Sequence, residues 1–485
     1  MLNTPTGRLI YSLLLTFAAL DAAAHENAPP IPIGNSRELF LDDYLVDRLQ
    51  NTTLELQQPR EREIVITHGE PWEGCASTYH TVFRDGDLFR MYYRGAHHDE
   101  VHNKPTHEEV FCYAESRDGI HWTKPNLGLV EFQGSTANNI ILKGSASHNL
   151  APFIDENPNC RPAEKYKAVG GVKGGLVTFK SADAVHWECL SEKPVITKGY
   201  FDSLNTAFWD TRRGEYLEFH REYRDSIRDI MTCTSNNFLD WSEPEWLEYT
   251  DAPHQHLYTN AIIPYHRAPQ ILIGLPMRYV PGRNPERHSQ DGVSDAGFMS
   301  SRDGKNFRRW NEAFVRPGLQ ADRWVNRNNL PARGIVETEP DVHGAPRELS
   351  FYATEGYYRG PATRLRRYTL RLDGFVSVSA PSDGGELITK PLVFAASGGS
   401  TKLWINFATS AVGWLKCELQ DPSGRPIQGY SLDECDEIYG DSVDRTVTWS
   451  AGDNVSSLAG QPVRLRFVMQ DADLYALEFR STNAK

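Results

Sequence analysis

Four arginines of this 485-residue sequence recur at the ends of aromatic-rich strands, and each has the chemistry to bind an anion. A planar guanidinium can hold a carboxylate or a sulfate through two parallel hydrogen bonds, which a lysine ammonium cannot do. The four are Arg94, Arg221, Arg278 and Arg359. Their recurrence allows two interpretations, an anion-binding mouth or a ring of arginine–carboxylate pairs that joins structural units.

Three carboxylates are candidates for acid–base chemistry. Asp202, in the string GYFDSLNTAFWD, stands among apolar residues before a predicted strand, and its alternative role is to cap a turn. Glu355, in ATEGYYRG, follows an apolar strand; burial there would raise its pKa to suit a general acid, unless it pairs with Arg359. Glu73 is the third candidate, with a solvated loop acid as its alternative.

Imidazole and amide side chains at predicted strand starts complete the candidate set for substrate binding. They are His148, His256, Asn205 and Asn260. The two histidines could position hydroxyls, exchange protons, or simply be hydrogen bonded. The seven cysteines show no zinc spacing, so no metal site and no cofactor is expected, other than at most a structural calcium ion. Spacing does not decide whether Cys417 and Cys435 form a disulfide.

An internal repeat indicates the elements that position these residues. The string SRDGIHW, from Ser116, recurs as SADAVHW from Ser181 and in weaker form from Ser235 and Ser301. The interval of about sixty residues is the size of one supersecondary unit. Each copy follows an alternating strand, so it predicts a tight turn out of that strand. Five units of four strands, with almost no helical periodicity, predict an all-β fold with a five-bladed β-propeller.

The propeller is predicted over residues 37–378, with the segment 37–56 expected to close the ring as an outer strand of the last blade. A Ser/Gly/Pro-rich break follows, and short alternating strands over 386–481 predict a small C-terminal β-sandwich. Residues 1–24 combine Arg8, a short apolar stretch and an A-x-A site, which predicts a cleaved signal peptide. Export to the periplasm or the cell exterior follows from that prediction.

The charge balance restricts the partners. The sequence has 51 Lys and Arg against 64 Asp and Glu, a net charge of −13, which disfavours nucleic acid and anionic membranes. No later apolar run is long enough for membrane insertion. An aromatic content of 11% suits both stacked sheets and clefts that stack on a carbohydrate. The oligomeric state is not indicated.

The repeated turns resemble those of the superfamily that contains glycoside hydrolase families 32, 43, 68 and 117. The strings LFLDDYLVD, MYYRG, RLDGFVSV and DEIYGD resemble, more closely, exported bacterial proteins described as family-32-like hydrolases. This resemblance implies three carboxylates at the narrow end of a funnel: a nucleophile or base, a general acid, and one that tunes the acid. The family-32 string W-M-N-D-P-N-G is absent, and Ser77 or Thr78 stands where its Asp would be.

Propeller geometry predicts that the candidate residues converge, since inner strands start and second strands end on the same face. The leading hypothesis is a secreted glycoside hydrolase acting on an anionic polysaccharide, sulfated or bearing uronic acids. Two alternatives are a non-catalytic glycan-binding propeller and a polysaccharide lyase with a His or Tyr base.

Overall fold

The computed structural model describes residues 29–99, 101–102, 104–250, 252–396 and 398–482. The predicted signal peptide lies outside these residues. The described chain contains β-strands and three short 3-10 helices but no α-helix, which confirms the prediction of an all-β fold. It has no helix that is long and apolar enough to cross a membrane. Two compact units form: residues 56–375 are one, and the described residues on either side of them are the other.

The first unit is the propeller, and five of its sheets have four or five strands. We number them blade 1 to blade 5 in chain order. Blade 1 contains Thr78–Asp85, Leu88–Gly95, Val110–Ser116, Trp122–Thr123 and Ile140–Lys143. Blade 2 contains Ala151–Ile154, Tyr166–Val172, Gly175–Ser181 and Glu188–Cys189, with a 3-10 helix at Pro162–Glu164. Blade 3 contains Thr206–Asp210, Glu215–Arg224, Ile227–Ser235 and Glu245–Trp246.

The remaining sheets of this unit are less regular. Blade 4 contains Glu248–Thr250, Ile263–Tyr265, Ala268–Gly274, Met299–Ser301 and Asn306–Arg309. A three-stranded sheet beside it contains His256–Leu257, Met277–Val280 and Val293–Ala296, and a two-stranded one contains His98–Asp99 and Lys104–Pro105. Blade 5 contains Leu330–Pro331, Val336–Thr338, Glu348–Glu355, Arg364–Arg371 and Arg60–Thr67, after a 3-10 helix at Ala321–Trp324.

The strand that completes blade 5 differs from the prediction. Arg60–Thr67 pairs antiparallel with Arg364–Arg371, whereas the predicted closing segment, residues 37–56, contributes its strands to the second unit. The reason is hydrophobic: Phe40 and Leu45 are fully buried in the core of that second unit. The propeller unit therefore starts at Leu56 instead of residue 37.

Neighbouring blades meet through their first strands. Thr78–Asp85 contacts both Ala151–Ile154 and Val336–Thr338, and Thr206–Asp210 contacts both Ala151–Ile154 and Ile263–Tyr265. Arg333 links these strands from the inside. Its guanidinium donates to the carbonyls of Pro152 (3.1 Å) and Ala207 (2.9 Å), and its main-chain N–H donates to His80 O (2.8 Å). Burial lowers the pKa of Arg333 to about 10.

The repeated serines occupy one structural position. Ser116, Ser181, Ser235 and Ser301 each end a strand that pairs antiparallel with the next strand in the chain. In blade 1 the Ser116 Oγ accepts the N–H of Gly119 (2.9 Å), and Asp118 Oδ1 accepts the N–H groups of Ile120 and His121 (2.8 Å each). Gly119 adopts φ +75°, which favours glycine at this turn. Burial alone would raise the pKa of Asp118, but these hydrogen bonds outweigh it and hold that pKa well below its usual range.

The second unit is built on two long strands, Ser400–Gln420 and Arg464–Thr482, which pair antiparallel along most of their length. The other strands are Ile31–Gly34, Glu38–Leu39, Val46–Gln50, Thr53–Leu56, Val376–Ala380, Gly385–Thr389, Leu392–Phe394 and Asp441–Thr446, with a 3-10 helix at Ser456–Leu458. Phe394 stacks on Phe479 in its core, with ring centroids 3.9 Å apart. All seven cysteines are free thiols, and Cys435 Sγ accepts the main-chain N–H of Cys417 (3.3 Å).

Candidate functional site

A pocket of about 180 Å³ lies in the propeller unit, where segments that flank the first and second strands of different blades meet. Its polar lining combines two arginines, Arg94 and Arg327, with two carboxylates, Asp202 and Glu109. Histidine and tyrosine side chains fill the space between them. Of the predicted site residues, Arg94, His148 and Asp202 line this pocket, and Arg221 lies behind it.

Arg94 is buried at the end of its strand and organises one wall of the pocket. Its Nη2 donates to the carbonyl of Ala76 (2.8 Å), and its Nη1 lies 3.3 Å from Glu109 Oε1. His148 connects this wall to the next blade, because its Nδ1 lies 2.7 Å from Glu109 Oε2 and its Nε2 lies 3.1 Å from Asp202 O. Burial would raise the pKa of Glu109, but His148 and Arg94 outweigh it and lower that pKa. Glu109 is therefore a carboxylate that stays ionised.

Asp202 stands in the loop before the first strand of blade 3, where its sequence placed it. Its side chain is 59% exposed and forms an ion pair with Arg221, whose side chain is only 3% exposed. Arg221 Nε and Nη1 are buried without a hydrogen-bond partner among the described residues. The guanidinium also lies over the Tyr258 ring, 4.9 Å from its centroid. Asp202 thus offers the pocket an oriented, arginine-paired carboxylate.

Arg327 is a pocket residue that the sequence reasoning missed. It lies in the loop after the 3-10 helix Ala321–Trp324, with φ +67°, and its Nη1 is 3.4 Å from the Tyr357 hydroxyl. The strongest electrostatic interactions of the Arg327 guanidinium are with tyrosine side chains. It forms no ion pair with a described Asp or Glu. Its Nε is buried without a hydrogen-bond partner in the described part of the chain. The string NRNN carries no periodic or motif signal that would have identified it.

The hydroxyl of Tyr357 lies between two guanidinium groups. Arg94 Nη2 is 3.2 Å from this oxygen, and Arg327 Nη1 is 3.4 Å from it. Burial would raise the pKa of Tyr357, but the positive charges of Arg94 and Arg327 outweigh it and lower that pKa below its ordinary value. Tyr357 is therefore a stronger acid than an ordinary tyrosine, and its phenolate has two cations beside it.

Two further tyrosines form a rigid aromatic surface in the pocket. The hydroxyls of Tyr79 and Tyr258 are 2.8 Å apart, and Arg94 lies over the Tyr79 ring at 4.9 Å from its centroid. Burial, reinforced by Tyr258, raises the pKa of Tyr79 well above its usual value, so this tyrosine stays protonated. The pocket thus offers hydroxyl donors and aromatic faces, which are the groups that bind sugars.

Two of the four predicted arginines lie elsewhere. Arg278 donates to both carboxylate oxygens of Asp295 (2.9 and 2.6 Å) and to Asn311 O, and it borders a different cavity. Arg359 lies 3.8 Å from Glu286 and does not line the pocket. Only Arg94 lies next to the end of its strand: Arg278 is near the start of Met277–Val280, and Arg359 follows Glu348–Glu355 in a turn. Partners distant in the chain decide which guanidinium faces the pocket.

The acids Glu355 and Glu73 are buried within ion-pair networks instead of facing the pocket. Glu355 accepts from Arg366 (2.5 Å) and lies 3.6 Å from Arg323. Glu73 accepts from the Tyr93 hydroxyl and from Lys124 Nζ, both at 2.6 Å. Each side chain is fully buried, and neither belongs to the pocket lining. Their arginine and lysine partners explain how these charges are buried.

The remaining candidates bind the protein's own backbone. Asn205 donates to Ser203 O (3.1 Å), and Asn260 donates to Phe219 O (3.1 Å) while accepting from Thr206 Oγ1 (2.8 Å). His256 Nδ1 accepts the main-chain N–H of Arg228 (3.1 Å), and burial followed by the charge of Arg228 lowers the pKa of His256. None of the three lines the pocket.

One buried group outside the pocket has metal-ligand chemistry. Glu218, His220 and Cys233 place one ligand atom each within 4.8 Å of one another. The His220 Nδ1 lies 2.7 Å from Glu218 Oε2, which accounts for one contact of each. Imidazole and thiol donors do not suit calcium, which prefers oxygen ligands. We assign no ion to this group.

Known proteins resemble this chain in fold alone. No family model and no curated protein matches the chain. A family 43 arabinoxylan arabinofuranohydrolase from Bacillus subtilis is 11% identical with a TM-score of 0.42, over 85% of this chain and 97% of that one. A fructofuranosidase from Schwanniomyces occidentalis is 12% identical with a TM-score of 0.39, over 87% and 98%. Family 43 is one of those that the sequence resembles.

Another similar structure catalyses different chemistry. An N-acetylgalactosamine deacetylase from F. plautii is 13% identical with a TM-score of 0.40, over 71% of this chain and 94% of that one.

Proposed function

We propose that this protein is a glycoside hydrolase that binds an anionic sugar, carrying a carboxylate or a sulfate, in the pocket around Arg327. The observation that carries the proposal is that Arg327 lines the pocket and pairs with no described Asp or Glu, beside a second guanidinium from Arg94. A partly buried cation is stabilised when an anion supplies paired hydrogen bonds. A substrate carboxylate or sulfate would supply them here.

Catalysis would then use Tyr357 and Asp202. Hydrolysis of a glycosidic bond needs a proton donor to the leaving oxygen and a nucleophile or base on the opposite face. Tyr357, with its lowered pKa, donates the proton, and Arg94 and Arg327 stabilise the phenolate that remains. Asp202, oriented by its ion pair with Arg221, supplies the carboxylate that attacks the sugar or activates water. Tyr357 takes the role that the sequence reasoning gave to Glu355.

A polysaccharide lyase is the second candidate, and the same Tyr357 favours it. A lyase removes a proton next to a uronate carboxylate, which requires a base and cations that neutralise that carboxylate. Tyr357 between Arg94 and Arg327 provides both. The two reactions differ in their products, since elimination leaves an unsaturated sugar that absorbs ultraviolet light and hydrolysis does not.

Product analysis on a panel of sulfated and uronic-acid-containing polysaccharides tests the proposal. Hydrolysis predicts new reducing ends without ultraviolet absorbance, lost in Tyr357→Phe and Asp202→Asn. Reducing ends with absorbance would establish the lyase instead. Binding without any product would identify a non-catalytic glycan-binding protein. Export, which the predicted signal peptide at residues 1–24 supports, is part of the proposal because such polymers lie outside the cytoplasm.

A further inference from the structure

A groove of about 530 Å³ lies beside the pocket, between blades 2 and 3. We propose that it binds the second and third units of an anionic oligosaccharide whose terminal unit occupies the pocket. This inference rests on the proposed function. Asp202 and His148 line both cavities, so the two adjoin at these side chains. The pocket, at about 180 Å³, is smaller than the roughly 300–1,000 Å³ of ordinary ligand sites, whereas the groove is within that range.

Tyr200 provides the groove with an aromatic platform. The Tyr200 side chain is 51% exposed, although neighbouring side chains hold its ring in place. Tyr223 packs edge-on against it, with centroids 5.2 Å apart and planes at 85°, and the Arg221 guanidinium lies 5.5 Å from its centroid. Its main-chain N–H donates to Arg221 O (2.6 Å). A ring that is already fixed loses little conformational entropy when a sugar stacks on it.

Lys173 supplies a positive charge to the lining of the groove. It lines the groove in an exposed turn, and no described residue forms an ion pair or hydrogen bond with its ammonium. The chain as a whole carries a net charge of −13, whereas Lys173 places a positive charge beside the pocket. An acidic group on the second unit of the substrate would pair with it. The structure thus indicates a polymer with repeated negative charges instead of a single anionic sugar.

The test is the dependence of affinity on oligosaccharide length. Calorimetry would use galacturonate oligomers and sulfated galactan oligomers of one to four units, with the full chain. We expect the wild-type protein to gain about tenfold or more in affinity from one unit to three. Tyr200→Ala and Lys173→Ala should each remove much of this gain and leave the affinity for one unit unchanged. A fixed aromatic contact is worth up to about 1.5 kcal/mol, close to a tenfold change.

Control variants separate the groove from general effects. Tyr200→Phe keeps the aromatic ring and should retain the gain in affinity with oligosaccharide length. Lys193→Ala removes an exposed lysine of the same blade outside the groove, and Tyr439→Ala removes an exposed tyrosine of the second unit; neither should alter it. A wild-type affinity that does not grow with length, or a gain that survives both groove variants, would overturn the groove inference alone. No binding of any member of either series would overturn the proposed function itself.

Discussion

Arg221 is almost completely buried, whereas the Asp202 carboxylate with which it pairs is more than half exposed. The guanidinium is also held by the Tyr258 ring, so its position is fixed by the protein. Because the buried partner is the fixed one, Asp202 is oriented toward the pocket without being withdrawn from it. An oriented carboxylate that stays accessible to the pocket is what a nucleophile or base requires.

Asp202→Asn should abolish turnover with little loss of stability. The amide keeps the size and one acceptor oxygen for Arg221 but cannot act as a nucleophile or base. We expect kcat to fall about 100-fold or more, the usual range for loss of acid–base assistance. Thermal unfolding of the variant, measured beside its kinetics, should stay within a few degrees of the wild type. A variant that keeps most of its activity would remove Asp202 from the mechanism.

Arg327→Lys should weaken the binding of an anionic substrate by about tenfold or more. The ammonium keeps the charge but loses the two parallel hydrogen bonds. Affinity of the wild-type protein should also fall as salt rises, since charges at a partly exposed pocket are screened over about 8 Å at physiological ionic strength. Titrations at two salt concentrations check both effects.

Arg278→Lys is the matched control for this change. Arg278 pairs with Asp295 away from the pocket, so its replacement should cost stability and leave affinity unchanged. Equal loss of affinity in the two variants would mean that the effect is not specific to the pocket.

Tyr357→Phe should remove the alkaline limb of the pH profile. As a proton donor Tyr357 must be protonated, so the rate falls as pH rises through its pKa. That pKa is lowered from the ordinary tyrosine value of about 10, so the limb should appear below that pH. The phenylalanine variant should be slower by about 100-fold and lack the limb.

Tyr368→Phe controls for loss of a buried hydroxyl next to an arginine. Its hydroxyl accepts from Arg323 (2.7 Å) in blade 5, outside the pocket lining. Tyr368→Phe should therefore leave the alkaline limb of the pH profile unchanged. An unaltered alkaline limb in Tyr357→Phe would exclude Tyr357 as the donor.

Ser116→Ala should destabilise the propeller unit by about 1–2 kcal/mol, since the turn loses the buried oxygen that accepts the N–H of Gly119. Chemical unfolding followed by fluorescence measures the change. Ser289→Ala, at an exposed loop position of the same unit, should be neutral. Similar losses from both variants would argue against a structural role for the repeated serine.

The sequence predicted the repeated turns well and the pocket only in part. The Ser-Asp turn is local, because its hydrogen bonds join residues within five positions of Ser116, so a string of letters contains all of it. Arg278 and Arg94 stand in similar sequence strings, each after an aromatic or apolar run, yet Arg278 pairs with Asp295 and Arg94 reaches the pocket. That difference depends on residues brought together by folding. Arg327 and Tyr357 lie in adjoining loops whose proximity has no sequence signature.

The pairing of Arg60–Thr67 with Arg364–Arg371 has a consequence for biosynthesis. The first strand of the propeller unit has no partner until almost the whole unit has been translated. The second unit shows the same dependence, because Glu38–Leu39 pairs with Arg464–Thr482 at the other end of the chain. Such high contact order slows folding. Neither unit can therefore be completed on the ribosome before its own last strands emerge, so both depend on contacts that form only after most of the chain has been synthesised.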